Sequence, residues 1–166
     1  MANYIPISTV TVGSGGASTI NFTGIPATYT DLAIKLSTRG TNASAFNNIK
    51  VTFNGSSSTF SRREIYAEGS AGSETVSDNI IGPLPAASST ANTFGSAELY
   101  ISNYTSSNNK AFSFDAVSEN DSATQSMWVT TGLWSTAIPI SSVSLFPNVG
   151  TFVQHSTATL YGIRKY

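Results

Sequence analysis

The sequence predicts an all-β fold: a single antiparallel β-sandwich of jelly-roll type. Apolar residues alternate with polar ones at period two through most of the chain, and no stretch sustains a helical period. Turns rich in Gly, Asn, Ser and Pro divide these runs into roughly eight to ten short strands, the spacing of a sandwich. Strands that alternate in this way bury one face and leave the other wet, as antiparallel sheets allow.

The first strand signal is Tyr4-Ile5-Pro6-Ile7 running to Val10 and Val12, closed by a turn at Gly13-Ser14-Gly15-Gly16. Ile20 and Phe22 alternate with Thr19 and Asn21 up to Gly24. Leu32, Ile34 and Leu36 share one face of a central strand. Val51 and Phe53 lead into Asn54-Gly55, a strong tight-turn signal. Arg63-Glu64-Ile65-Tyr66 is a weaker strand. The stretch 69–95, rich in Ser, Ala and Gly and holding Pro83 and Pro85, reads as a long loop anchored by Ile80, Ile81 and Leu84. Long ordered loops tend to carry contacts, so Ile80 and Leu84 become candidate interface residues, as does the segment from Ala2 to Val12. Strands resume at Leu99 and Ile101, at Phe112 and Phe114, at Met127 to Thr131, and at Val143 and Leu145. Thr157 to Ile163 closes the fold, with Gly162 marking a close backbone approach.

The 166 residues fit one domain spanning 1–166, and 40% hydrophobic residues suffice for a core. Only 10% are charged, against about 25% in an ordinary soluble domain. Ser and Thr, roughly three residues in ten, supply the polarity instead. Such hydroxyl-rich surfaces suit secreted or particle-borne β proteins. Eight basic residues against nine acidic, scattered along the chain, give no stripe for nucleic acid. Without cysteine there is neither disulfide nor thiolate metal site. No basic, apolar leader of signal-peptide length opens the chain, and no run is long enough to span a bilayer as a helix.

Reactive constellations are scarce. His155 is the single histidine, in a predicted loop before the last strand, and no Gly-x-Ser-x-Gly elbow is present. No catalytic residue, cofactor or metal is therefore expected. Glu119 and Asp121 share a polar loop that could bind calcium, but without EF-hand spacing it reads as a solvated turn. Five Asn-x-Ser/Thr triplets, at Asn21, Asn42, Asn54, Asn103 and Asn120, are unremarkable in so Ser/Thr-rich a chain. Trp128, Trp134, Tyr100 and Tyr104 are the candidate contact aromatics. They could stack on a host-surface glycan, or pack in a core or protein interface, where aromatics are enriched.

Ile25-Pro26-Ala27-Thr28-Tyr29-Thr30-Asp31-Leu32, running on to Ser37-Thr38-Arg39-Gly40, resembles a strand-entry signature of small structural proteins of tailed bacteriophages. The ending from Ser156 to Tyr166 resembles that of the same group, while Asn54-Gly55, Phe94-Gly95-Ser96 and Ile101-Ser102-Asn103-Tyr104 match its layout loosely. The resemblance implies a virion structural protein and transfers no catalytic residue. The expected role is capsid decoration: a cement protein, trimeric, bound to the major capsid protein on the outside of the head. The alternative is a tail-fibre, receptor-binding or carbohydrate-binding module.

Overall fold

A computed structural model describes residues 3–68, 71–118 and 126–164. Among them the chain forms β1 (Asn3–Thr11), β2 (Ile20–Phe22), β3 (Asp31–Thr38), β4 (Phe46–Phe53), β5 (Phe60–Glu68), β6 (Ala71–Val76), β7 (Ile80–Pro85), β8 (Gly95–Ile101), β9 (Lys110–Ser118), β10 (Ser126–Trp134), β11 (Val143–Pro147) and β12 (Thr157–Arg164). There is no helix among the described residues. The strands build two sheets, ordered β1-β12-β3-β8-β9-β10-β5-β6 and β2-β11-β4-β7. Every pairing between these strands is antiparallel. The result is an antiparallel, jelly-roll-like sandwich.

The period-two pattern translates directly into burial. Along β9 the residues alternate buried and exposed without a break, Phe112, Phe114 and Ala116 pointing in. Ile34, Leu36, Leu99, Phe114 and Leu160 of the large sheet meet Ile20, Phe22, Ile49, Val51, Val143 and Leu145 of the small one in one continuous core. At one end Phe53, Phe60, Phe112 and Trp134 form an aromatic cluster, with ring centroids 5.3 to 6.3 Å apart and several edge-to-face pairs. Asn54 and Gly55 both take positive φ (52° and 76°), the geometry of a type I′ turn.

Gly162 is where the Tyr29 ring lies on β12, and a Cβ there would overlap that ring. Gly162→Ala is expected to cost about 1–3 kcal/mol through overpacking. A urea titration would show a lowered midpoint at unchanged slope; an unchanged midpoint would contradict the contact.

The stretch 69–95 is not a long loop. It contains β6, paired with β5, and β7, paired with β4. Leu84 is 1% exposed and belongs to the core, and Ile80 is half-buried. Neither is the free-standing contact that a loop would have offered. What remains irregular, 86–94, is held by Arg39. Its guanidinium donates to the carbonyls of Ala87, Ser89, Thr90 and Thr93 at 2.8 to 3.4 Å.

Four strands cannot cover eight. β7 packs on β9 and β10, and β2 lies beside β1, so the β5–β6 hairpin extends past the small sheet. The inner face of β5 changes character accordingly. Phe60 is core, but the next inward residues, Arg62 and Glu64, form a buried ion pair. Asp78, in the link to β7, accepts from Arg62 Nε at 2.6 Å.

Candidate functional site

The outer face of the large sheet carries the most unusual surface of the molecule. Outward positions of adjacent strands line up in rows, because antiparallel register brings them face to face about 5 Å apart. In one row Ile65 of β5 lies opposite Val129 of β10. In the next, Met127 lies between Ala67 of β5 and Val117 of β9. Further along β10, Leu133 lies between Ser61 and Ala111. These five large apolar side chains are between 37% (Leu133) and 60% (Ile65) exposed, on three neighbouring strands. Scattered exposed apolar residues need no explanation, but Ile65, Val129, Met127 and Val117 are contiguous and rimmed by polar residues, which marks a contact surface.

Between Leu133 and Val129 the row changes chemistry. Thr75, Arg63, Thr131, Ser113 and Tyr100 stand side by side across five strands. They line a shallow trough of ≈ 620 Å³ whose remaining walls include Leu133, Ala111 and Ser102. Tyr100 donates its hydroxyl to Asp31 at 2.6 Å, and Asp31 also accepts the Asn103 backbone N–H at 2.8 Å. Burial, with the hydrogen-bonded Asp31 carboxylate, pushes the Tyr100 phenol up to about 12. At neutral pH it is therefore a fixed donor to Asp31. Among the described residues few charges border this half of the face, namely Arg63, Asp115 and Glu98, with Lys35 and Glu98 paired at 3.5 Å beyond it.

The four candidate aromatics separate. Trp134 and Tyr104 are core residues, 1% and 0% exposed. Tyr104 donates its hydroxyl to the Pro26 carbonyl, and burial raises its pKa. Neither can reach a glycan or a partner from there. Tyr100 faces outward in the trough. Trp128 is half-buried on the opposite face of β10, against its cross-strand neighbour Tyr66 with ring centroids 5.3 Å apart. It lines a recess of ≈ 340 Å³ together with Asn42, Phe46, Asn47, Asn48, Asn148 and Val149.

The reactive candidates stay dispersed. His155 is exposed in the turn before β12, at φ 71°, and its side chain bonds no serine or carboxylate among the described residues. No group of three potential metal ligands gathers among them either. Glu119 and Asp121 lie outside the described residues. Lys110 is buried at the start of β9, where it donates to the Ser106 and Asn108 carbonyls and desolvation lowers its pKa.

No family model matches the chain, and no curated protein is similar to it in sequence. Among solved structures, galectin LEC-6 of Caenorhabditis elegans superposes over 95% of this chain and 96% of its own, at 6% identity and a TM-score of 0.37. At that distance the likeness adds nothing to what the strands themselves establish.

Proposed function

We propose that this chain is an adhesive structural module of a tailed-bacteriophage particle, a cement protein docked on the outside of the head. The observation that carries the proposal is the exposed apolar group Ile65, Val129, Met127, Val117 and Leu133 on the outer sheet face. Its partner is a protein surface: among the described residues the bordering charges include one cation, Arg63, beside Asp115 and Glu98, a poor grip for phosphates or anionic lipid, whereas apolar groups ringed by hydroxyls suit a protein interface. The resemblance of Ile25 to Leu32 and of the chain's ending to small phage structural proteins supports the major capsid protein as that partner. Trimers repeated over a shell need only modest affinity per copy, since simultaneous contacts multiply effective concentration.

The test is to count copies in purified particles by quantitative mass spectrometry. Shell decoration predicts copies on the order of hundreds, the regime in which many weak contacts suffice. A handful of copies would move the module to the tail, and none would end the proposal. A receptor-binding role on the tail is the second reading, favoured by Trp128, the candidate tryptophan that stays partly accessible.

A further inference from the structure

Beyond adhesion to the shell, we propose that the recess beside Trp128 binds a neutral saccharide ring. This gives the receptor-binding reading a specific site, and it stands whether or not the outer sheet face docks on coat protein.

The recess forms where β10 passes the start of β4 and the loop after β11. The wall between β4 and that loop is pinned by backbone and amide bonds. Asn47 Nδ2 donates to the Val149 carbonyl at 2.6 Å, and Asn47 Oδ1 accepts the Asn48 N–H at 2.9 Å. The Asn148 N–H donates to the Asn48 carbonyl at 2.7 Å. These bonds use up Asn47 but leave the side-chain amides of Asn48 and Asn148 with no hydrogen bond among the described residues. Asn42 has only a long contact, 3.4 Å, to Ser44 Oγ. Three amides thus present donors and acceptors together, as the paired hydroxyls of a sugar require.

Trp128 supplies the complementary element. Tyr66 lies against the indole at 32° between planes, which holds its orientation while the ring lines the recess. A large rigid aromatic stacks on the C–H face of a pyranose at little entropic cost, and Phe46 and Val149 add apolar wall. Among the described residues no charged side chain lines the recess, so they offer an anionic sugar no counter-charge, and a phosphate none of its usual cations. The volume is near the lower end of small-ligand sites, about 300–1,000 Å³, which suits a single ring or the end of a chain.

The experiment uses the full chain on an array of neutral and acidic bacterial oligosaccharides, followed by tryptophan-fluorescence titration with the best neutral binder. Trp134 is sealed in the core, so a saturable change in emission reports Trp128. We expect saturable binding to at least one neutral glycan, weakened at least tenfold in Trp128→Ala and within about threefold of the parent in Trp128→Phe, which keeps an aromatic face. Asn148→Ala, at an exposed position whose side chain makes no hydrogen bond among the described residues, should weaken it several-fold with unchanged melting temperature. Ile65→Glu/Val129→Lys, on the outer face, should bind the glycan as the parent does, which separates this site from the adhesive one. Absence of any neutral binder, preference for acidic glycans, or binding undiminished by Trp128→Ala would each overturn the proposal.

Discussion

Replacing Ile65 by Glu and Val129 by Lys together should severely weaken docking while leaving the fold intact. The two residues are direct cross-strand neighbours on β5 and β10. Opposite charges placed there attract each other, and a lysine at 129 also faces Asp115 of β9, so the exchange creates no like-charge pair across the sheet. Both side chains are already substantially exposed, 60% and 39%, and exposed substitutions usually move stability by no more than about 0.5 kcal/mol. Docking is another matter. Full burial of an Ile or Val contributes about 1.5–3 kcal/mol, of which each here has roughly half still to gain at an interface. The two inserted charges would also have to shed their water at an interface built for apolar groups. A rise in Kd of about two orders of magnitude is expected, read by rebinding to particles or to immobilised coat protein. Ile138→Lys is the control: it puts a charge on an equally exposed apolar residue, but in the link before β11. Its association should match the parent's. Unchanged association of the double variant would remove the outer sheet face from the interface.

Which parts of the sandwich could be read in advance follows from where alternation has physical force. Leu32, Ile34 and Leu36 alternate because β3 lies over the core, and Phe112 and Phe114 do so on β9 for the same reason. The strands β6 and β7 escaped that signal. In β6 the outward Ala71, Ser73 and Thr75 and the inward Gly72 and Glu74 are all small or polar, because the hairpin extends past the small sheet and has little apolar surface to cover. β7 contains Gly82, Pro83 and Pro85, which argue against a strand. It tolerates them as the edge of the small sheet, paired on one side with β4 alone. The candidate surfaces were hidden for different reasons. On β10, Trp128 and Trp134 share one face while Met127, Val129 and Leu133 share the other, so both faces read as apolar and the sequence could not say which meets water. Two tryptophans six residues apart also look equivalent, yet one closes an aromatic cluster and the other lines a recess beside the start of β4. Asn42, Asn48 and Asn148 meet only because β4 and β11 are neighbours, a pairing that no local pattern announces.

Arg62→Met should be the most damaging single substitution on the hairpin. Arg62 and Glu64 sit in positions that alternation assigns to the interior of β5, and both are almost fully buried. The guanidinium bonds Glu64 Oε2 and, through Nε, Asp78. Glu64 Oε1 is buried with no partner among the described residues, so Arg62 is the charge that compensates this carboxylate. Glu74 stands 4.0 Å away and is largely exposed, and it adds little. A buried ion pair gives modest net stability, because desolvation offsets its attraction, but removing one member strands the other. That loss is typically about 3–5 kcal/mol. Arg62→Met should therefore lower the urea midpoint sharply, and amide exchange should rise first in β6 and in the part of β5 beyond Phe60, which extend past the small sheet. Adding Glu64→Leu to Arg62→Met should recover most of the loss, since an apolar pair of similar volume needs no compensation. If the double variant is as unstable as the single one, the cost is packing around the guanidinium stem rather than an orphaned carboxylate. Asp78→Asn would then do little to the midpoint, whereas with the charge account correct it should weaken the hairpin measurably, because Asp78 ties Arg62 to the link that carries the chain from β6 into the small sheet.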